Sequence, residues 1–347
     1  MKINKIRFLE PGNLPYRRSI KNLYVYDQYI RTPSHGLMTL ATVAKEAVPD
    51  TLMYSESISK IRWDDVLDAD IVLIGIFTFQ AKRGYELARF VRKNSKALVV
   101  LGGLHASMNY QEAAQYCDYV LLGEGEESIL KLIDCLRRDQ EIDFPGVAYR
   151  NNDEIVCTGQ CVPPHNIDII PDRDLLYHYR KMAGHNTVWP QVHASRGCPH
   201  NCDYCAVVRH FGRKSADEIA GKMLWRISAR LSPFTTRATA VRPKYSGSLM
   251  ITFFADRDWA VSVLNAIIRS GIRYQFTVQA RYEVGFDDEM LELLKEAGFC
   301  EIAMGIEFLE DEAFESLHKK STYAEIVRSV ENIQRHGLRV RDCYRRR

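Results

Sequence analysis

The sequence predicts an α/β protein: a doubly wound parallel sheet over residues 1–140, a linker over 141–187, and a second series of βα units over 188–347. Three observations carry this. Apolar runs without polar alternation (residues 70–77, 97–101 and 119–122) read as strands buried on both faces. Helix-length amphipathic segments separate them, which is the pattern of parallel crossover units. Prolines and Asn-Asn or Pro-Gly pairs then interrupt the alternation between 141 and 190 before it resumes.

In order, residues 5–9 form a strand, and a loop rich in Pro and Arg leads to a helix over 36–48. Strand 70–77 precedes an amphipathic helix over 82–93. Strand 97–101 ends in Gly102 and Gly103, and strand 119–122 ends in Gly123, Glu124, Gly125 and Glu126 before a helix over 128–137. Doubly wound sheets bind ligands at the carboxyl ends of their strands. Here those ends carry Thr78, Gly102, Gly103 and Gly123 to Gly125. Within the linker, 147–149 and 155–157 suggest a small hairpin, so the segment packs locally. From 188 a strand enters a cysteine-rich loop, and Ser215 to Glu218 resembles a capping box opening a helix to Ser228. Strands over 249–255, 274–279 and 301–306 alternate with helices over 261–269, 288–297 and from Thr322 to Gly337. Residues 338–344 begin a further strand.

With 347 residues the chain holds about two domains. Its 47 Lys and Arg against 44 Asp and Glu leave +3, so charge supplies no case for a nucleic-acid partner. The longest apolar run, 71–79, is about half of a membrane span, so none is expected. The charged start, residues 1–7, is followed by no apolar run and does not read as a secretory leader. Nine cysteines with three inside eight residues point to metal ligation in a reducing, cytoplasmic setting over a disulfide framework.

Cys198, Cys202 and Cys205 stand as C-x3-C-x2-C directly after an expected strand. Three thiolates on one short loop can bind three irons of a four-iron cluster and leave the fourth open. Structural zinc is the alternative, with a fourth ligand from His193, His200 or Cys161. Cys117, Cys135, Cys300 and Cys343 read as buried and unligated, and Cys157 and Cys161 as structural.

Residues 195–205 resemble the signature loop of the radical S-adenosylmethionine (SAM) superfamily. Downstream, Phe253 to Asp256, Val278 to Arg281, residues 291–298 and Met304 to Glu307 agree in order. Upstream, Pro33 to Leu37, Gly102 to Ala106 and Gly123 to Glu126 resemble the cobalamin-binding domain of the subclass that carries both modules.

The resemblance implies a cobalamin-binding Rossmann- or flavodoxin-like domain followed by a (β/α)6 partial barrel. A 4Fe–4S cluster would sit on Cys198, Cys202 and Cys205, with SAM chelated at the open iron and cleaved to a deoxyadenosyl radical. Tyr204 would lie near adenine or shield the cluster from water. Asp256, Gln279, Arg281 and Glu307 would contact SAM, unless Arg281 and Glu307 pair with each other. Thr78, Gly102, Gly103, His105, Gly123, Glu124 and Gly125 would line the cobalamin site, with glycines admitting the corrin close to backbone. The sequence lacks D-x-H-x-x-G, so no imidazole from that motif is expected on cobalt; His35 and His105 are expected as satisfied surface or loop histidines.

The implied activity is methylation of an unactivated carbon in a small molecule, with a flavodoxin- or ferredoxin-like electron donor. Ring formation or rearrangement is the alternative enzyme reading, and an inactive cofactor-binding or interaction module the alternative outside enzymes. A six-stranded barrel is expected to be incomplete here, so the chain is expected to be a fragment or frameshifted product, with completion of the barrel by a partner as the alternative. The basic segment 232–248, with Arg237, Arg242 and Lys244, reads as a lid or partner loop or as an unstructured insertion.

Overall fold

The computed structural model describes residues 1–12, 33–180, 191–193, 196–200, 202–211, 248–249, 253–271, 275–307, 314 and 321–344. The helix expected from Ser215 and the basic residues Arg237, Arg242 and Lys244 lie outside them. Contacts divide the chain into two units, Met1–Val188 and Trp189–Arg347.

The first unit is built on a seven-stranded sheet in the order β2-β1-β3-β4-β5-β6-β7. Strands β1 (Lys5–Glu10), β2 (Asp50–Ser55), β3 (Ile71–Gly75), β4 (Leu98–Gly102) and β5 (Tyr119–Leu121) run parallel. This 2-1-3-4-5 order is flavodoxin-like and puts the switch point where β1 meets β3. Helices α1 (His35–Ala47), α2 (Trp63–Leu67), α3 (Ala81–Asn94), α4 (Leu104–Met108), α5 (Tyr110–Ala113) and α6 (Glu126–Arg138) make the crossovers. Ile71, Val72, Leu73 and Ile74 are all fully buried, as a central strand covered on both faces requires.

Strand β2 carries no apolar run because it is the edge: Asp50 is exposed while Met53, Tyr54 and Ser55 are buried. The hairpin expected in the linker forms as β6 (Val147–Asn151) and β7 (Glu154–Cys157). It joins the sheet, with β6 antiparallel to β5 and Tyr119 opposite Tyr149.

In the second unit five parallel strands lie in chain order, β12-β11-β10-β9-β8. They are β8 (Gln191–Val192), β9 (Ser248–Leu249), β10 (Phe276–Ala280), β11 (Phe299–Glu307) and β12 (Arg339–Tyr344). Neighbours that follow in sequence, each joined through a helix, are the winding of a barrel wall. Helix α7 (Ala206–Phe211) follows the cysteine loop, and α8 (Arg257–Arg269), α9 (Asp288–Glu296) and α10 (Tyr323–Arg335) are the later crossovers. Their apolar faces, including Val263, Leu264, Leu291, Leu294 and Ile333, close on Phe276, Val278 and Ile302 of the sheet. The Thr322–Glu325 capping box opens α10 in both directions. No described helix is long and apolar enough to cross a membrane.

Candidate functional site

The cysteine loop of the second unit leaves β8 through Gly197, whose φ of 81° suits glycine, and ends at α7. Cys198, Cys202 and Cys205 are all part-buried, and Cys205 N–H donates to the Cys202 carbonyl at 3.0 Å. Burial pushes the Cys198 thiol up, opposed by the His200 N–H and aided by the proximity of Cys205 and Cys202. The Arg281 guanidinium favours its thiolate. Burial and then Arg281 hold the His200 imidazole below its usual value. Among the described residues no three His, Cys, Asp or Glu side chains converge closely enough to grip a metal ion. The donor set still suits an iron–sulfur cluster in kind: three soft sulfurs on one short loop with a cation beside them.

The carboxyl ends of β10 and β11 stand at this loop. Glu307 closes β11 at φ 66°, where non-glycine residues are uncommon, and the pairing with β12 shifts between Met304 and Glu307. The Tyr204 hydroxyl donates to Glu307 Oε2 across 103 positions of sequence. Burial first, and then the Glu307 carboxylate, push the Tyr204 phenol up. Arg281 follows β10 and bonds both oxygens of Glu283 at 3.0 and 3.1 Å. Burial alone would lower its pKa, but Glu283, with Cys202 and Tyr282, raises it overall. Of the two expectations for these residues, the structure gives Arg281 to Glu283 and Glu307 to Tyr204 among the described contacts. Gln279 is part-buried on β10, level with Ala303.

Asp256 has a structural task that the sequence reading did not assign: it is the N-cap of α8, with Oδ1 accepting Trp259 N–H at 2.9 Å. Asp256→Ala is expected to cost about 1 kcal/mol of stability in this unit, and Asp256→Ser to restore most of it. Denaturant unfolding of the two variants checks this, and equal losses would refute the capping role.

In the first unit, Thr78 opens a 3-10 turn (Thr78–Gln80) after β3. Its hydroxyl is 3.3 Å from His105 Nδ1, and His105 Nε2 is 3.1 Å from the Tyr85 hydroxyl. The expectation of surface or loop histidines is corrected here, since His35 and His105 are 4% and 7% exposed. His105 is a core residue with its ring nitrogens near the Thr78 and Tyr85 hydroxyls.

The two glycines at the end of β4, Gly102 and Gly103, also part company. Gly103 has φ 89°, and a Cβ there would meet Ile76 O at 2.9 Å and Ile76 N at 3.0 Å. Ile76 N–H donates to Gly102 O and its carbonyl accepts His105 N–H, so the protein's own backbone needs Gly103 bare. At Gly102 a Cβ would find nothing closer than Leu121 at 3.9 Å. Gly102 is thus the position whose missing side chain the fold does not itself require.

Gly123, at φ 65°, donates its N–H to Ser107 Oγ at 2.9 Å. Ser107 also bonds the Gly103 carbonyl, joining the two glycine turns, a link with no sequence signal. Glu124 is buried, and its carbonyl accepts the Cys161 thiol. Gly125 caps α6 against Leu40. A recess of about 390 Å³ lined by Arg92, Leu98, Asp118, Tyr119 and Tyr149 lies at the amino ends of β4 and β5, opposite the glycine turns.

Residues 192–345 match the model of the radical SAM superfamily. This segment is a radical SAM domain. The chain is 25% identical over 325 residues to an uncharacterized methyltransferase of Pyrococcus horikoshii, covering 88% of this chain and 67% of the relative. It is 28% identical over 232 residues to the hopanoid C-3 methylase of Methylococcus capsulatus, covering 64% of this chain and 41% of that one. The solved structure of the cobalamin-dependent S-adenosylmethionine radical enzyme OxsB with aqua-cobalamin bound superimposes at TM-score 0.72 and 14% identity. That match covers 99% of this chain and 49% of OxsB. The chain thus spans between about two fifths and two thirds of the length of these relatives. The radical SAM domain brings its cysteine loop, Arg281 and the Tyr204–Glu307 bond to one end of its sheet, and the flavodoxin-like unit precedes it.

Proposed function

We propose that the chain is a cobalamin-dependent radical SAM methyltransferase acting on an unactivated carbon of a small molecule. The observation that carries this reading is the three-cysteine loop fastened by Tyr204 to Glu307 at a strand end, with Arg281 beside its sulfurs. Relatives named as methyltransferase and methylase, and the fold shared with OxsB, support it. When bound, a 4Fe–4S cluster, SAM and cobalamin supply the radical and methyl-transfer chemistry.

The chain's own residues bind and orient. Cys198, Cys202 and Cys205 ligate three irons as thiolates, and Arg281 lowers the cost of gathering that negative charge. Glu307, which Tyr204 bonds here, would offer its carboxylate to the amino or ribose groups of SAM. Arg281 and Gln279 would hold the SAM carboxylate and its polar rim. Asp256 contributes through Oδ2 while Oδ1 caps α8. Gly102, with the turns at Gly123, Glu124 and Gly125 and the Thr78 hydroxyl, admits the corrin at the carboxyl end of the first unit's sheet.

The test is anaerobic reconstitution with iron, sulfide and cobalamin, then incubation with SAM and a flavodoxin- or ferredoxin-like reductant. Brown protein that releases deoxyadenosine is expected, and a product heavier by about 14 daltons per methyl group once a substrate is found. Colourless protein holding tightly bound zinc would overturn the reading. Cleavage of SAM with a product of unchanged methyl count would favour ring chemistry.

A further inference from the structure

The recess at the amino ends of β4 and β5 takes no part in the chemistry described above, yet several polar groups around it lack partners. It encloses about 390 Å³, within the range of about 300–1,000 Å³ that small-ligand pockets occupy. One wall exists because β6 extends the sheet past β5. Tyr149 stands opposite Tyr119 in register, with the two rings 6.0 Å apart and tilted by 54°. At that angle neither ring stacks on the other. The Tyr119 and Tyr149 hydroxyls, the Arg150 guanidinium and the Asn152 amide hold no hydrogen bond or ion pair among the described residues. Arg92, in the last turn of α3, stands 3.6 Å from Asp118 Oδ1, an ion pair too long for a hydrogen bond. Asp118 Oδ2 accepts the Val99 N–H at 2.7 Å, which fixes the carboxylate. Burial first, and then the Asp118 carboxylate, push the Tyr119 phenol up, so its hydroxyl keeps its proton and can donate. Two cations, an anchored acceptor oxygen and two rings therefore line one recess.

We propose that this recess binds a nucleotide, with the phosphate on Arg150 and Arg92, the base against Tyr119 and Tyr149, and a ribose hydroxyl or exocyclic amine donating to Asp118 Oδ1. Guanidinium groups match phosphate oxygens with paired N–H donors. An inorganic anion would use the arginines and leave the tyrosine pair without a role. An apolar ring would leave Arg150 without a counter-charge. A nucleotide carries the anion, the ring and the donor in one molecule, and every base has a face that stacks on an aromatic side chain. The recess lies at the opposite end of the sheet from Thr78, Gly102 and Gly123, so the nucleotide is a second ligand, separate from any group held at the glycine turns. Its binding requires no corrinoid.

Equilibrium dialysis of AMP against the full chain at fixed ionic strength tests this, with inorganic phosphate and adenosine as the part-probes. AMP is expected to saturate a site below about 1 mM, and each part-probe to bind at least about tenfold more weakly. Arg150→Gln should weaken AMP by roughly 10- to 100-fold. Its unfolding midpoint should match wild type, because Arg150 has no described partner to lose. Arg138→Gln, which removes an exposed arginine of α6 paired with Asp134, is the charge control and should bind AMP as wild type does. Hydrogen exchange at residues 119–121 and 147–152 should slow when AMP is added. No saturable AMP binding below about 1 mM, equal AMP affinity in Arg150→Gln and wild type, or phosphate alone binding as tightly as AMP would each overturn the nucleotide site.

Discussion

Cys202→Ala is expected to abolish cluster loading and, with it, SAM cleavage. Cys202 is the middle sulfur of the loop, its carbonyl holds the turn to Cys205, and the Tyr204 ring packs its hydroxyl near it. Removing one of three thiolates leaves two donors for a cluster that needs at least three from the protein. Deoxyadenosine formation should drop by more than about 100-fold. Iron content and the broad visible absorption of the anaerobically reconstituted protein should fall together with it. Cys157→Ser, an exposed cysteine of β7 in the first unit, serves as the control and should load iron as wild type does. A Cys202→Ala protein that still cleaves SAM would remove the cysteine loop from the chemistry altogether.

Gly103→Ala and Gly102→Ala, adjacent in sequence, should differ sharply in stability. Alanine at 103 must hold φ 89° and ψ 179°, a region open almost only to glycine, with its Cβ 2.9 Å from a backbone oxygen. Backbone strain of about 1–3 kcal/mol adds to the displacement of Ile76, so a loss of roughly 3 kcal/mol or more is expected. Ile76 cannot retreat cheaply, because its N–H and carbonyl are both bonded to the same turn. At 102 the new methyl meets only ordinary contact at 3.9 Å, and the change should stay within about 1 kcal/mol. The unfolding midpoint of the first unit in urea reads the difference. Gly102→Ala has a second readout: weakened cyanocobalamin retention with unchanged stability would mark the place where a corrin meets backbone. Equal stability losses at the two positions would contradict the contact with Ile76.

Most of the architecture is legible in the chain because burial on both faces writes itself as apolar runs. Residues 71–75, 98–102 and 119–121 are central strands and are found that way. Strand β2 is not, since an edge strand mixes exposed and buried positions and Asp-Thr-Leu-Met-Tyr-Ser resembles a loop. The Thr322–Glu325 box and the glycine after α9 are local devices, readable from neighbours in sequence. Asp256 shows the limit of such reading. An acid at a strand end suits a ligand contact and a helix cap equally, and only the position of Trp259 N–H decides that it caps. The internal neighbours of Gly103 and His105, namely Ile76, Tyr85 and Thr78, are likewise unreadable from the chain.

The sequence by itself determined that three sulfurs stand on one loop, that a parallel sheet with bare turns precedes them, and that acidic and basic groups end the later strands. Covalent spacing and hydrophobic periodicity act over a few residues, so they survive in a one-dimensional record. Only the tertiary structure decided that Tyr204 meets Glu307, that Thr78 and Tyr85 wall in His105, and that Ser107 reaches the turn at Gly123. Each of these depends on desolvation and on groups far apart in the chain, and burial is a property of the folded whole.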